Sequence, residues 1–153
     1  MDYYDQDFLK NARVSGKYDE VMQSLTKCPF CDLKSKYVIS EERDFVLTVS
    51  LFPYIDGHLL IIPRGHKEKF TDISPEEWAQ VNSLIKKGMD LLKKLMGVSN
   101  VNVLYREGKK SGASLGHLHF HIIPCDTIIL QPQYQEVKLS PLEMAEKFRN
   151  GDR

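Results

Sequence analysis

A chain of 153 residues suits a single domain, and 42% hydrophobic with 27% charged residues is the balance of a folded globular protein, which excludes a disordered body. Lysine plus arginine, 21, equals aspartate plus glutamate, 21, so no overall field draws nucleic acid or an anionic membrane, and any phosphate chemistry must rest on a local site. No apolar run approaches the roughly 18 residues of a membrane span, and the N-terminus MDYYDQDFLK is acidic and aromatic rather than basic and then apolar; a soluble, unprocessed protein is expected.

Between Asp5 and Leu25 the residues Phe8, Leu9, Ala12, Val21, Met22 and Leu25 recur at partly helical spacing, with Ser15-Gly16 as a break, which predicts one or two short helices. Phe45 to Leu51 and His58 to Ile62 are β-rich runs separated by Pro53 and the turn signal Asp56-Gly57, so they read as antiparallel neighbours. Ser74-Pro75-Glu76-Glu77 announces a helix: Ser74 can cap the first amides, Pro75 suits the first helical position and Glu77 completes a capping box. Trp78, Val81, Leu84, Ile85, Met89, Leu92 and Met96 then give one apolar face, and Gly97 ends the helix. Val101 to Tyr105 predicts another strand, and a loop from Gly108 to Gly116 leads into a final one, His117 to Ile123, closed by Pro124. After a polar connection, Gln131 to Gln135, Ser140-Pro141-Leu142-Glu143 repeats the capping pattern before a short helix through Phe148. Neither an internal repeat nor an interdomain linker is visible.

Three of the five histidines stand at alternate positions in His117-Leu-His119-Phe-His121. On a strand such residues share one face, so imidazoles line one side while Leu118, Phe120 and Ile122 line the other. A row of this kind can bind metal, or act as nucleophile and general acid. Cys28-Pro-Phe-Cys31 has the spacing for two thiolates on one tetrahedral metal, which then needs two more ligands; His66 is one candidate and the row can lend an end member. Competing readings are a thioredoxin-like redox pair, which prefers a helix N-terminus within a βαβ unit, and two unrelated core thiols. Three cysteines are too few to staple the chain and favour a reducing, cytoplasmic setting.

His117-Leu-His-Phe-His-Ile-Ile resembles the signature of the histidine triad (HIT) superfamily of nucleotide hydrolases and transferases. The agreement extends to Gly112-Ala-Ser-Leu-Gly116, to Gly57-His58-Leu-Leu-Ile-Ile-Pro63 and to Cys-Pro-Phe-Cys, over roughly Cys28 to Cys125, about two thirds of the chain. The resemblance implies an α+β fold, an antiparallel sheet with the long helix packed across it and short terminal helices, and a homodimer with sheets joined across a two-fold axis. It divides the chain into an N-terminal helical extension, 1–25, a HIT domain, 26–126, and a C-terminal tail with a short helix, 127–153. It implies that His119 is the nucleophile that attacks the α-phosphorus and forms a nucleotidyl-histidine intermediate, and that His121 donates a hydrogen bond to the phosphate. His117 would join Cys28, Cys31 and His66 around a structural zinc.

His58 matches the histidine that supports the row, Ser114 the hydroxyl that contacts phosphate, and Gly112 lets backbone amides approach an anion. Ser50 falls where some relatives place asparagine or aspartate against the ribose. Arg106, Lys109 and Lys110 are nearby cations that either meet further phosphates or are simply solvated. Two positions depart from the pattern: Ala113 stands where glutamine is common, and Cys125 where arginine is frequent, which leaves fewer side-chain donors for phosphate. The Gly-Ala-Ser-Leu-Gly-His-Leu-His string is similar to the branch with diadenosine tetraphosphate phosphorylases. The implied function is nucleotidyl transfer from an adenine nucleotide, a dinucleoside polyphosphate or nucleoside phosphoramidate, to water or phosphate. The alternative from another class is a noncatalytic zinc-stabilised nucleotide-binding or partner-binding module. Neither nucleic acid nor membrane is an expected partner.

Overall fold

The computed structural model describes residues 5–111, 113, 115–126 and 135–153. Five strands form one sheet: β1 (Val38–Glu41), β2 (Phe45–Val49), β3 (Leu59–Pro63), β4 (Val101–Tyr105) and β5 (Phe120–Pro124), in the spatial order β1-β2-β3-β5-β4. Every neighbouring pair is antiparallel. The helices are α1 (Gln6–Asn11), α2 (Lys17–Ser24), α3 (Pro75–Met96) and α4 (Pro141–Asp152). None is long and apolar enough, among the described residues, to cross a membrane.

Strand alternation divides the sheet into two faces. Phe45, Leu47, Val49, Leu59, Ile61, Phe120 and Ile122 enter the main core with Val81, Leu84, Leu91 and Leu92 of α3. Met144, Ala145 and Phe148 of α4 and Leu9 of α1 belong to the same core. Val46, Leu60 and Ile62 point the other way and pack with Phe30, Leu33 and Val38. His121, paired with Leu60 across the sheet, belongs to this second face, where the site is built.

The capping signals are realised: Ser74 and Ser140 each form a complete capping box with Glu77 and Glu143, and Gly97 ends α3 at a φ of 66°. Gly16, at a φ of 77°, is the turn between α1 and α2. Three expectations need correction. The apolar face of α3 is rotated, because Trp78 and Met89 are 42% and 41% exposed while Gly88 is buried. A Cβ on Gly88 would lie 2.8 Å from Ile122 Cδ1, so the helix approaches β5 most closely along a line that passes through a residue with no side chain.

The last strand starts at Phe120 rather than His117. Continuing the ladder would bring Leu118 opposite Pro63, which has no N–H to give, and the Pro63 carbonyl is already taken by the His117 imidazole. Finally, β1 was not foreseen, and α4 runs past Phe148 to Asp152.

Candidate functional site

Cys28, Cys31, His66 and His117 come together although they lie on three separate stretches of chain, and their ligand atoms all fall within 4.8 Å of one another. His117 Nδ1 is 3.4 Å from Cys28 Sγ and 3.5 Å from Cys31 Sγ, and His66 Nδ1 is 3.3 Å from Cys31 Sγ. Tetrahedral bonds of about 2.3 Å to sulfur and about 2.0–2.1 Å to nitrogen separate such ligand atoms by about 3.6 Å. The opposite ring nitrogens support the same conclusion. His117 Nε2 donates to the Pro63 carbonyl at 2.9 Å, and His66 Nε2 faces Glu68 Oε1 at 3.1 Å. Both acceptors require the proton on Nε2, so both Nδ1 lone pairs point at the thiols, the arrangement typical of a histidine metal ligand. The group fits a metal ion.

His119 and His121 continue from His117 on the second face, with ring centroids 4.8 Å apart. His119 Nδ1 donates to the His117 carbonyl at 2.9 Å. Burial holds this ring below the usual histidine pKa, with cationic neighbours acting the same way and the carbonyl bond partly opposing them. A neutral ring protonated at Nδ1 keeps its lone pair on Nε2.

A second chain of imidazoles fixes the opposite tautomer in His121. The Tyr54 N–H donates to His58 Nδ1 at 3.1 Å, which leaves the proton of neutral His58 on Nε2. That N–H can then donate to His121 Nδ1 at 2.8 Å, which places the proton of neutral His121 on its own Nε2. Burial is the main cause keeping both rings neutral, followed by the mutual repulsion of the imidazoles and the nearby guanidinium groups of Arg13 and Arg106. The two rings of the row therefore present opposite atoms: a lone pair at Nε2 of His119 and a donor at Nε2 of His121.

Both rings line an open cleft on this face of the sheet. Pro29, Phe30, Leu51 and Leu60 make one wall apolar, and Phe30 stands edge-on to His119 at 5.1 Å. Ser50 and Ala113 also line it. Arg106 lines the cleft and donates to the Tyr54 hydroxyl at 3.2 Å, whereas Lys109 and Lys110 are exposed outside it. Cys125 is apart from the cleft, accepting from Asn102 Nδ2 at 2.9 Å. Gly112 and Ser114 lie outside the described residues. The residues that local sequence did not single out are Arg13, Tyr18 and Tyr54, which reach the cleft from the α1–α2 turn, from α2 and from the loop before β3. The sequence signal for Arg13 and Tyr18 is a concentration of aromatic and cationic residues in the N-terminal stretch, and Tyr54 has none.

The family model of the HIT domain matches residues 33–128. The chain belongs to the HIT family. An adenosine 5'-monophosphoramidase of Schizosaccharomyces pombe is 32% identical over 101 residues, covering 63% of this chain and 73% of that protein. An AP-4-A phosphorylase of Mycobacterium tuberculosis is 26% identical over 103 residues, covering 67% of this chain and 53% of that protein. The crystal structure of a Zn-bound histidine triad family protein from Mycobacterium smegmatis superposes with a TM-score of 0.67 at 21% identity, over 85% of this chain and 94% of that one, a likeness of fold.

In this HIT chain the neutral imidazole relay has a consequence for acid stability. A histidine whose folded pKa lies below its unfolded value of about 6.5 binds protons more readily when unfolded. Its contribution is therefore complete above about pH 6.5 and is lost as pH falls below that value. Each such ring adds at most about 1.4 kcal/mol of lost stability per pH unit. Denaturant unfolding between pH 7 and pH 5.5 should give a shallower pH slope for His58→Gln than for the unaltered protein, by a difference that grows from about a quarter of a proton per molecule at pH 7 toward about one at pH 5.5. Protonation of the cysteine–histidine group is common to both proteins and cancels in the comparison. Identical slopes would mean that His58 does not stay neutral in the folded chain.

Proposed function

We propose that this HIT-family chain is a nucleotide hydrolase or nucleotidyltransferase that cleaves at the α-phosphate of an adenine nucleotide. The substrate is a dinucleoside polyphosphate or a nucleoside phosphoramidate. The observation that carries this reading is the pair of opposite tautomers, a lone pair on His119 Nε2 and a donor on His121 Nε2, lining one cleft with cationic Arg13 and Arg106. The names of the fission-yeast phosphoramidase and the mycobacterial phosphorylase support the substrate class.

His119 Nε2 attacks the α-phosphorus; a P–N bond forms, the bond to the bridging atom breaks and its electron pair leaves with the departing group, a polyphosphate departing as the anion and a phosphoramidate nitrogen taking a proton from solvent to depart as the neutral amine. Neutral imidazole suits both steps, since it is nucleophilic near pH 7 and then leaves readily. In the second step an oxygen of water or inorganic phosphate attacks the phosphorus, the P–N bond breaks and its electrons return to Nε2. With water, the proton it sheds passes to solvent. His121 donates to a phosphate oxygen whose charge grows in each transition state. His58 holds His121 in the donating tautomer, Ser50 serves the ribose, and Gly112 and Ser114 serve the phosphate.

Cys28, Cys31, His66 and His117 hold zinc. With four protein ligands the ion would supply folding energy rather than an activated water. The extension 1–25 and the segment 127–153 flank the HIT unit, 26–126. The active form is a homodimer joined at the β4 edge, a reading supported by the exposure of Val103, Phe70 and Trp78 at 41%, 44% and 42% along and beside that edge. Light scattering should give twice the chain mass, and Val103→Lys should shift it toward the monomer. A single-chain mass for the unaltered protein at micromolar concentration overturns this assembly.

The decisive assay is incubation with a labelled diadenosine polyphosphate, with and without inorganic phosphate. Mononucleotide release in either case supports the enzyme, and phosphate dependence assigns the acceptor. Binding without release assigns a nucleotide-binding module instead.

A further inference from the structure

Arg13 is the one charged side chain that the N-terminal helices bring to the cleft, and it is held on several sides. Its Nε donates to the Phe52 carbonyl at 2.8 Å, and its guanidinium carbon lies 3.7 Å from the Tyr18 ring centroid and 4.1 Å from that of Tyr54. A cation clamped between two aromatic faces is fixed in direction in a way a surface lysine is not. Among the described residues lining the cleft, only Arg13 and Arg106 carry full charges, and both are positive, in a chain whose formal net charge is zero. Both touch Tyr54, so the two guanidiniums converge on one end of the site.

The ring contacts order the site from one end to the other. Phe30 meets His119 at 5.1 Å, His119 meets His121 at 4.8 Å, His121 lies stacked on Tyr54 at 6.3 Å, and Arg13 covers Tyr54. A nucleoside fits the apolar end at Phe30, and the attacked phosphorus fits the two histidines. Whatever follows that phosphorus in the substrate then extends toward Tyr54, Arg13 and Arg106. A neutral amine, the leaving group of a phosphoramidate, gains nothing from two guanidiniums; a polyphosphate gains charge-assisted, bidentate hydrogen bonds.

We infer that the α1–α2 extension is part of the substrate site: Arg13, with Arg106, grips the phosphates beyond the one attacked, and this pair selects nucleotides with a polyphosphate leaving group. The cations supply donors that Ala113, which lines the cleft, does not. This inference rests on the nucleotidyl-transfer reading above.

The test compares diadenosine tetraphosphate with adenosine 5'-phosphoramidate on the unaltered protein, Arg13→Gln and Arg13→Lys. For Arg13→Gln, kcat/KM should fall roughly tenfold further on the tetraphosphate than on the phosphoramidate, the scale of one charge-assisted hydrogen bond. Arg13→Lys should recover part of that difference. An equal fall on both substrates makes Arg13 a wall of the cleft only and overturns the proposal, as does an unchanged ratio. Inorganic tripolyphosphate serves as a probe independent of turnover, and its affinity measured calorimetrically should weaken in Arg13→Gln. If the unaltered protein turns over neither substrate, the nucleotidyl-transfer reading fails, and tripolyphosphate titration alone decides on Arg13. If Arg13→Gln does not fold, the same comparison with Arg13→Lys decides: the tetraphosphate must lose more than the phosphoramidate.

Discussion

His119→Gly and His119→Asn are expected to lower turnover by at least about a thousandfold, since on the proposed covalent mechanism they remove the nucleophile and leave only positioning and electrostatic help. Nucleotide affinity and metal content should stay close to those of the unaltered protein, because the metal-facing atom belongs to His117 and the cleft walls to other residues. His121→Ala should be milder. It removes a donor from the phosphate and leaves the His58 Nε2–H without its acceptor, slowing the reaction while the lone pair of His119 survives. Rapid quenching in denaturant at neutral pH, followed by mass spectrometry, should find the nucleotidyl group on His119. Its appearance on another residue, or near-normal turnover in His119→Gly, would sink the mechanism.

Loss of the proposed zinc is the second large effect expected. Zinc bound by four protein ligands is worth about 10–16 kcal/mol in small peptides, and only part of that appears as stability in a chain with a core of its own. Cys28→Ser or exhaustive chelation should cost roughly 3–5 kcal/mol and lower Tm by roughly 10 °C. Cys125→Ser is the control, since that thiol sits beside Asn102 and outside the ligand group. Elemental analysis should give close to one zinc per chain, and less than about half an equivalent in gently purified protein argues against a closed site. The damage should reach the proposed reaction too: the carbonyl that orients His119 belongs to His117, so freeing that residue frees the tautomer of His119.

The sequence already carried the ends of α3, through Ser74, Pro75 and Gly97, because capping is a matter of a few adjacent residues. It carried the histidine row and the cysteine pair for the same reason, and their order along the chain supplied the HIT resemblance. Phase was harder. Trp78 and Met89 fit a helical apolar stripe as well as Gly88 does not, yet the stripe that packs is set by the close approach of Gly88 to Ile122. The short strand β1 was missed because four residues give too little alternation to read. The beginning of β5 was misjudged because alternation continues through His117 while the partner strand ends at Pro63. Arg13 was invisible for a different reason: its significance lies in Phe52 and Tyr54, which only tertiary structure brings beside it.

Every histidine of the chain is engaged in one of two imidazole groups that meet at His117 and His119, and none is spent elsewhere on the surface. The nitrogen-15 spectrum of the imidazoles is therefore a spectrum of the site with no background. Protonated, unprotonated and metal-bound ring nitrogens resonate in separate regions, so five rings should yield ten assignable signals from which each tautomer can be read as metal or nucleotide is added.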